Sequence, residues 1–526
     1  MEISVINSVE EPFPQQLVVE HKLGPIRRCF QAACNGILPN KKEFNLFLTQ
    51  LLVLIFFAVS TYGILNKNAL PGSEVFALLL LVLSATVAGR IFGFMFFPPL
   101  LGMMIAGFLY RNLSFIPYYG NISHKTVSSL RDIALVLILL RAGLGLDPNK
   151  LKNLKMVVFR LTVVPCIVET GSIAVLAHFL LDLPWIWATM LGFIISAVSP
   201  AVVLPILLNL MKKNLGTSKG IPTLIIAASS MDDILAIAGF TITLSIAFSQ
   251  GNIIWTAIKA PLEPLVGVVF GSVFGVIFWH IPSKDRSKSA LIYYNVLLLC
   301  FAGLSAMFAS KRAGIPGSGA LGCITLALAA SLQWRKDADQ FHSISAVVDI
   351  MWEIIQPFLF ALIGAEVTLP SLQQHVGYSV LALILGLCCR SLVTGLAVFG
   401  ANLNIKEKIF VCCAWLPKAT VQAAVGSQVL DYARSHNKGF QYEEYGKQIL
   451  NIAVLSIVLT VPVGAALTAI LGPILLSTDD TAKNLTENAH DDNGEKVKGN
   501  KILPDYGSCD MLETASILPH KNFNTV

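Results

Sequence analysis

Hydrophobic and polar positions fall in long blocks along this chain. After a polar opening of 43 residues come apolar runs at about 44–66, 74–93, 96–111, 128–145, 155–181, 184–211, 218–248, 253–281, 290–309, 313–334, 345–366, 376–402, 406–431 and 447–476. A helix rises 1.5 Å per residue, so about 20 apolar residues span the hydrocarbon core of a bilayer. The pattern predicts an all-α polytopic membrane protein of about 14 transmembrane helices. Residues 1–43 read as a cytoplasmic N-tail, 44–476 as one transmembrane domain and 477–526, polar again, as a disordered cytoplasmic C-tail. The N-tail has prolines at 12, 14, 25 and 39 and no early apolar core, so no cleavable signal peptide is expected.

Composition sharpens this picture. Of 526 residues 55% are hydrophobic and 13% charged, with mean hydropathy +0.68; soluble domains carry about 25% charged residues. The net charge of +6 is scattered between apolar runs and is no nucleic-acid signal. Cys166, Cys300, Cys323, Cys388, Cys389, Cys412 and Cys413 lie inside apolar runs and read as small buried hydrophobes, not as a zinc site or disulfide framework. With the N-tail in the cytoplasm, inner segments hold 24 Lys and Arg residues and outer loops 7. That bias supports an even number of spans with both tails inside. Asn112 and Asn121 begin sequons in an outer loop, where glycosylation is allowed.

Two weakly similar halves recur at a near-constant offset. Leu101-Gly102 matches Leu321-Gly322; Gly143 with Leu151 matches Gly364 with Leu372; Ser199-Pro200 matches Leu416-Pro417, offsets of 220, 221 and 217. A shift of seven spans is odd, so the second copy (about 290–476) enters the membrane upside down relative to the first (about 74–248). Inverted repeats are the architecture of secondary transporters, with the site near the midplane. Pro200 and Pro417 fall mid-membrane, where a proline removes a backbone donor and clashes with the preceding turn. An ordinary kink is the plain reading of each. Two at matching positions favour two crossed discontinuous helices, whose half-helix ends bring partial charges of both signs together.

The chemistry concentrates at Asp232 and Asp233, adjacent carboxylates in the middle of the run from Ile221 to Phe248. A charge at bilayer depth costs about 2.5–3.5 kcal/mol on insertion scales, so such residues face a polar cavity and work there. Lys418 needs a counter-charge, and one of these aspartates is the obvious candidate. Glu169 and Arg390, 221 apart, occupy matching midpoints of the two copies and can meet near the pseudo-two-fold axis. Their plain reading is a buried structural ion pair, since pairing relieves the cost of burial.

These stretches resemble a known family. Ser230-Met231-Asp232-Asp233-Ile234-Leu235-Ala236-Ile237, Ala197-Val198-Ser199-Pro200-Ala201-Val202-Val203-Leu204-Pro205, Ala414-Trp415-Leu416-Pro417-Lys418-Ala419-Thr420-Val421-Gln422-Ala423-Ala424 and Arg141-Ala142-Gly143-Leu144-Gly145-Leu146-Asp147 are similar to animal sodium/proton antiporters. The group is the NHA type of the cation/proton antiporter superfamily, the solute carrier 9B group. The resemblance covers about residues 44–476 and neither tail. It implies the sodium/proton antiporter fold, with an ion-carrying core domain moving against a dimerisation domain, and hence a homodimer in membrane lipid. It makes Asp233 the main ligand for proton and metal (sodium or lithium), pairs Asp232 with Lys418 in the cation-free state, and identifies Glu169 and Arg390 as an additional buried pair. The extra span 44–66 fits animal members. Where many bacterial relatives have Thr-Asp, this chain has Ser199-Pro200, so coordination leans on Asp233, Ser199 and backbone carbonyls.

The implied activity is secondary antiport of sodium or lithium against protons by alternating access. A buried carboxylate holds a proton or a cation, not both, and that competition couples the fluxes; electroneutral exchange is the preferred stoichiometry. No enzymatic activity, cofactor or nucleic-acid partner is expected, and no Gly-x-x-x-x-Gly-Lys-Ser/Thr stretch is present. An intramembrane aspartyl protease is disfavoured, because adjacent aspartates on a helix point about 100° apart. A cation channel would build its filter from symmetric rings. A sodium-coupled organic-anion carrier of similar fold fits Lys418 beside paired acids less well. The plasma membrane is the first expectation for location, with endosomal, mitochondrial and flagellar membranes open.

Overall fold

A computed structural model describes residues 41–477, apart from 96, 114–121, 147–154, 249–252, 283–286, 374–375 and 437. Residues 1–40 and 478–526, which are nearly all of both tails, and Asn121 and Asp147 lie outside the described residues. Every regular element described is helical. The helices are α1 (Lys41–Leu65), α2 (Glu74–Phe94), α3 (Pro99–Asn112), α4 (His124–Gly145), α5 (Lys155–Leu181), α6 (Trp185–Ser196), α7 (Pro200–Lys212), α8 (Ile221–Phe248) and α9 (Ile253–Ile277). Then follow α10 (Lys288–Arg312), α11 (Pro316–Trp334), α12 (Ala338–Glu366), α13 (Leu369–Gln373), α14 (Val376–Ala397), α15 (Ile405–Ala414), α16 (Thr420–Gly426), α17 (Gln428–Ser435) and α18 (Phe440–Leu475).

Each apolar run carries a helix or a broken helix. Among the described residues nine segments are long and apolar enough to cross a membrane, α6 and α7 counting as one. Of the five other expected runs, that of α9 keeps only the short apolar stretch Pro261–Ile277 and α11 is a 19-residue helix rich in Gly, Ala and Ser, while three hold helices that are short, charged or broken: α3 has 14 residues, α4 carries Arg131 and Asp132, and the run 406–431 is split into α15, α16 and α17. Burial, not uniform hydrophobicity, keeps these three in place.

Local chemistry sets the boundaries. Ser73, Ser123, Ser287 and Asp337 cap α2, α4, α10 and α12 by accepting the backbone N–H three residues on. Asn404 and Glu407 form a reciprocal capping box at α15. Prolines open α3, α7 and α11 at the first turn, where a missing N–H costs nothing. Arg90, expected in a loop, lies within α2 and holds α1 by donating from Nε to Gln50 at 2.9 Å. Asn112 is unfit for glycosylation here, since its amide donates to Phe108 and Val367 carbonyls and accepts from Leu369 N–H.

Small residues let helices cross closely. A Cβ on Gly364 of α12 would sit 2.0 Å from the Met104 carbonyl of α3, and one on Gly107 of α3 equally close to Ala361 of α12. On α9, Gly267, Gly271 and Gly275, one turn apart, face Ser318, Thr325 and Ala329 of α11. The interior holds two apolar clusters. Ile225 and Ala228 of α8 belong to one, and Ala236 and Ile237 to the other. Asp232 and Asp233 lie in the polar layer between them.

Candidate functional site

The site forms where two helices are broken. The segment α6–α7 stops at Ser196 and restarts at Pro200; α15–α16 stops at Ala414 and restarts at Thr420. The extended residues touch: Ser199 N–H donates to the Pro417 carbonyl at 2.8 Å. Ser199 Oγ meets Thr420 Oγ1 at 3.3 Å and accepts from Thr420 N–H at 3.4 Å. The prolines are therefore not equivalent in position. Pro200 is the first residue of α7, whereas Pro417 lies inside the unwound segment. Helix restarts match at 200 and 420, which brings this correspondence to the offset of 220 seen elsewhere.

Unwinding frees the last carbonyls of α6, and side chains satisfy them. Gln422 Nε2 donates to the carbonyls of Ile194 at 2.9 Å and Ala197 at 2.8 Å. The Ser196 carbonyl accepts from Lys418 Nζ at 3.2 Å and from Arg390 Nη1. Two cations thus stand at the negative end of a half-helix.

The charged side chains form one network. Glu169 on α5, Asp232 on α8, Arg390 on α14 and Lys418 after Pro417 are each 0% exposed. Glu169 Oε2 accepts from Arg390 Nη1 and, at 2.7 Å, from Lys418 Nζ. Asp232 Oδ2 accepts from Arg390 Nη2 at 2.9 Å and from Val198 N–H at 3.0 Å. Lys418 therefore stands on Glu169, not on Asp232 as expected. Its backbone N–H is held by Thr460 Oγ1 at 2.9 Å, and its ammonium is drawn to Ser196 and Glu169. Arg390 reaches both acids because a guanidinium is a planar fork of donors.

Asp233 is different. It is 5% exposed; its Oδ1, like Asp232 Oδ1 and Glu169 Oε1, has no hydrogen-bond partner among the described residues, but unlike those two acids it makes no ion pair among them. Ser199, expected to help it, bonds to Thr420 instead; no hydrogen bond joins Ser199 to either aspartate in this structure.

Several buried polar residues were missed from the sequence. Gln422 and Thr460 are ordinary in type, and only the broken helix gives them a role. Glu263 of α9 had a signal, being an acid between Pro261 and Pro264 in an apolar run. It is 3% exposed and accepts from Ser245 Oγ of α8 at 2.7 Å and Gly317 N–H of α11 at 3.0 Å. Arg131 and Asp132 were equally visible. Arg131 meets Asp431 at 2.5 Å and Glu366 at 3.5 Å, Arg434 meets Glu366 at 3.2 Å, and Lys311 meets Asp132 at 2.6 Å. This second network ties α4, α10, α12 and α17 together.

Comparison with known proteins places this arrangement. The family profile described as "Sodium/hydrogen exchanger, transmembrane" matches residues 77–472. Human sodium/hydrogen exchanger 9B2 is 43% identical over 459 residues, 86% of this chain and 83% of the relative. The chain belongs to the sodium/hydrogen exchanger family. Human sodium/hydrogen exchanger 9B1 is 42% identical over 447 residues, 84% of this chain and 85% of the relative. In fold, this exchanger-family chain matches the sodium proton antiporter MjNhaP1 from Methanocaldococcus jannaschii with a TM-score of 0.59 at 20% identity, over 80% of this chain and 99% of that one. The multi-pass, all-helical architecture with two broken helices in contact is that antiporter fold.

Proposed function

We propose that this chain is a secondary antiporter that exchanges sodium or lithium for protons across a membrane by alternating access. One observation carries the reading. Glu169, Asp232, Arg390 and Lys418 are linked by hydrogen bonds, and as two acids and two bases they balance. Asp233, buried beside them, is left without a counter-ion. Taking an uncompensated charge out of water costs several kcal/mol, so the empty site resists movement through the bilayer. One proton or one monovalent cation on Asp233 removes that penalty. The carrier then crosses loaded with one or the other, which links the two fluxes and makes the exchange electroneutral.

Asp233 is the ion ligand in this reading, and Asp232, Glu169, Arg390 and Lys418 hold the surrounding charge constant. The backbone of the two breaks and Ser199 supply further oxygen atoms after rearrangement around the ion. The protein acts as a homodimer in the plasma membrane, which a size measurement and surface labelling would check. The direct test is flux in proteoliposomes. An imposed proton gradient drives sodium uptake in the wild type, and Asp233→Asn, still folded, shows none. Sodium-dependent proton flux in that variant would remove Asp233 from its role, and uptake that follows voltage instead of the proton gradient would mean a channel.

A further inference from the structure

Arg141 lies in one of the stretches shared with sodium/proton antiporters, yet the ion site does not use it. It stands near the end of α4, with Nε 2.6 Å from Asp349 Oδ1 of α12, and the two side chains are 33% and 38% exposed. Both residues belong to apolar runs that span the membrane. An ion pair left half-exposed at such a position faces a water-filled space.

The packing of α4 locates that space. The helix lies against α10, α11 and α12 on one side and against α16 and α17 on the other. Val136 and Leu140 approach Gly303 of α10, and Gly143 approaches Ile324 and Ala327 of α11, while Arg131 meets Asp431 of α17. Arg131, Leu135, Ile138, Ala142 and Gly145 follow at spacings of four and three, so they share the face that meets α17. Burial ends partway along this face. Arg131 and Leu135 are 2% and 1% exposed, Ile138 and Ala142 are half-buried, and Gly145 is exposed. On α8, Thr223, Ile226 and Ser230 lead at the same spacings to Asp233, and all three are half-buried. The helix α16 touches both α4 and α8. The open end of each stripe adjoins a basic segment, with Lys150, Lys152 and Lys155 between α4 and α5, and Lys212, Lys213 and Lys219 before α8. That marks the cytoplasmic side.

We propose that the two stripes line one cleft from the cytoplasm to Asp233, and that Arg141 and Asp349 are positioning residues at its mouth, setting the field that a sodium ion meets on entry. The inference rests on the antiport reading above. Asp349 attracts an entering cation and Arg141 opposes it. Glu353, one turn further along the same face of α12, is exposed and makes no ion pair among the described residues, so the mouth holds two acids against one base. A cleft with low-dielectric walls focuses such a field and changes the local cation concentration. This role differs measurably from that of a structural tie. Breaking a tie from either side does the same harm, whereas removing an acid and removing a base move the cation affinity in opposite directions.

The test is sodium-driven proton movement in membrane vesicles holding the full-length protein, everted so that the cytoplasmic face meets the added sodium, at low ionic strength. Asp349→Asn and Glu353→Gln raise the apparent sodium KM by about twofold or more, and Arg141→Gln lowers it by a similar factor. The Arg141→Gln/Asp349→Asn double variant returns close to the wild type, and kcat stays level throughout. Raising the ionic strength with choline chloride collapses the differences, because salt screens exposed charges. In right-side-out vesicles, where sodium enters from the other face, KM does not move. KM shifts of the same sign in Arg141→Gln and Asp349→Asn, a fall in kcat without a KM shift, or shifts that survive high salt or appear equally from both faces would each overturn the assignment. Wild-type exchange with KM unmoved in every variant would remove this inference alone, whereas no exchange in the wild type would remove the antiport reading and this inference with it.

Discussion

Replacing Glu169 or Arg390 by glutamine perturbs one ion pair from opposite sides, and the structure makes the two outcomes unequal. At an effective dielectric constant of about 20, opposite charges at the 2.7 Å and 2.9 Å separations seen here attract by about 6 kcal/mol before desolvation. Removing one partner of a buried pair costs about 3–5 kcal/mol net. Arg390 serves three acceptors, Glu169, Asp232 and the Ser196 carbonyl. Without it Asp232 keeps only Val198 N–H, and Glu169 keeps only Lys418. Without Glu169, Arg390 still has Asp232 and Ser196, and Lys418 still has Ser196. Arg390→Gln therefore falls at the upper end of the range and Glu169→Gln at the lower. The charge swap, Glu169→Arg with Arg390→Glu, recovers part of the loss. Transport separates the variants further. In Glu169→Gln two acids face two bases, so the site is neutral when Asp233 is empty and carries one positive charge when loaded. The empty carrier crosses and coupling loosens, giving a steady sodium-dependent current that the wild type lacks. Melting temperatures in detergent and currents on a supported membrane read both effects. Additive losses in the Glu169→Gln/Arg390→Gln double variant would remove the pairing, and a greater loss from Glu169→Gln than from Arg390→Gln would remove the bridging role of Arg390. Tightly coupled, currentless exchange in Glu169→Gln would remove the charge argument.

Lys418→Gln takes a positive charge from beside the aspartates and leaves the Arg390–Asp232 contact in place. With one base fewer, the site loaded with a single cation or proton carries a net negative charge, so exchange slows and its apparent sodium affinity and pH profile change; an unmoved profile and sodium affinity would refute this. Glu263→Gln keeps an acceptor for Ser245 and Gly317 but loses the favourable charge at the α11 N-terminus, for about 1 kcal/mol. Glu263→Ala strands the buried donors and costs more, about 1–3 kcal/mol; equal melting temperatures for the two would contradict the capping role. Gly364→Ala puts a methyl 2.0 Å from the Met104 carbonyl, and the forced separation of α3 and α12 costs at least about 1–3 kcal/mol, read as a lower melting temperature; wild-type stability would mean the two helices do not cross so closely.

The helices were legible because a bilayer imposes a length and a polarity on whatever crosses it, and the apolar runs carry both. The runs that fell short show where that signal ends. A helix such as α11, enclosed by α4, α9 and α10, does not need a uniformly apolar surface. The charged residues of the site were legible for a related reason, since Asp232, Asp233, Glu169, Arg390 and Lys418 all interrupt apolar sequence. Their pairing was not. Which acid Lys418 meets depends on where an unwound segment points its side chain, and Pro417 predicts the unwinding without its direction. Glu263 and Arg131 also interrupt apolar sequence and were as visible as the others, since the same cost of burial applies.

The two buried networks show why one of them suits transport. Arg131, Lys311 and Arg434 face Asp132, Glu366 and Asp431, three cations against three acids. Each acid has a cation within reach, so that network gains nothing from a further ion and serves to hold helices together. The site at the helix breaks has Glu169, Asp232 and Asp233 against Arg390 and Lys418, an odd number. The breaks make this imbalance tolerable. They expose the Ser196 carbonyl and the Val198 N–H, which fix Arg390, Lys418 and Asp232 in place, so that the missing positive charge is localised on Asp233. An intact helix would have used both backbone groups internally and left the cations without their common anchor. In the proposed mechanism, the place for a single positive charge at Asp233 thus follows from where the helices are interrupted as much as from the carboxylates themselves.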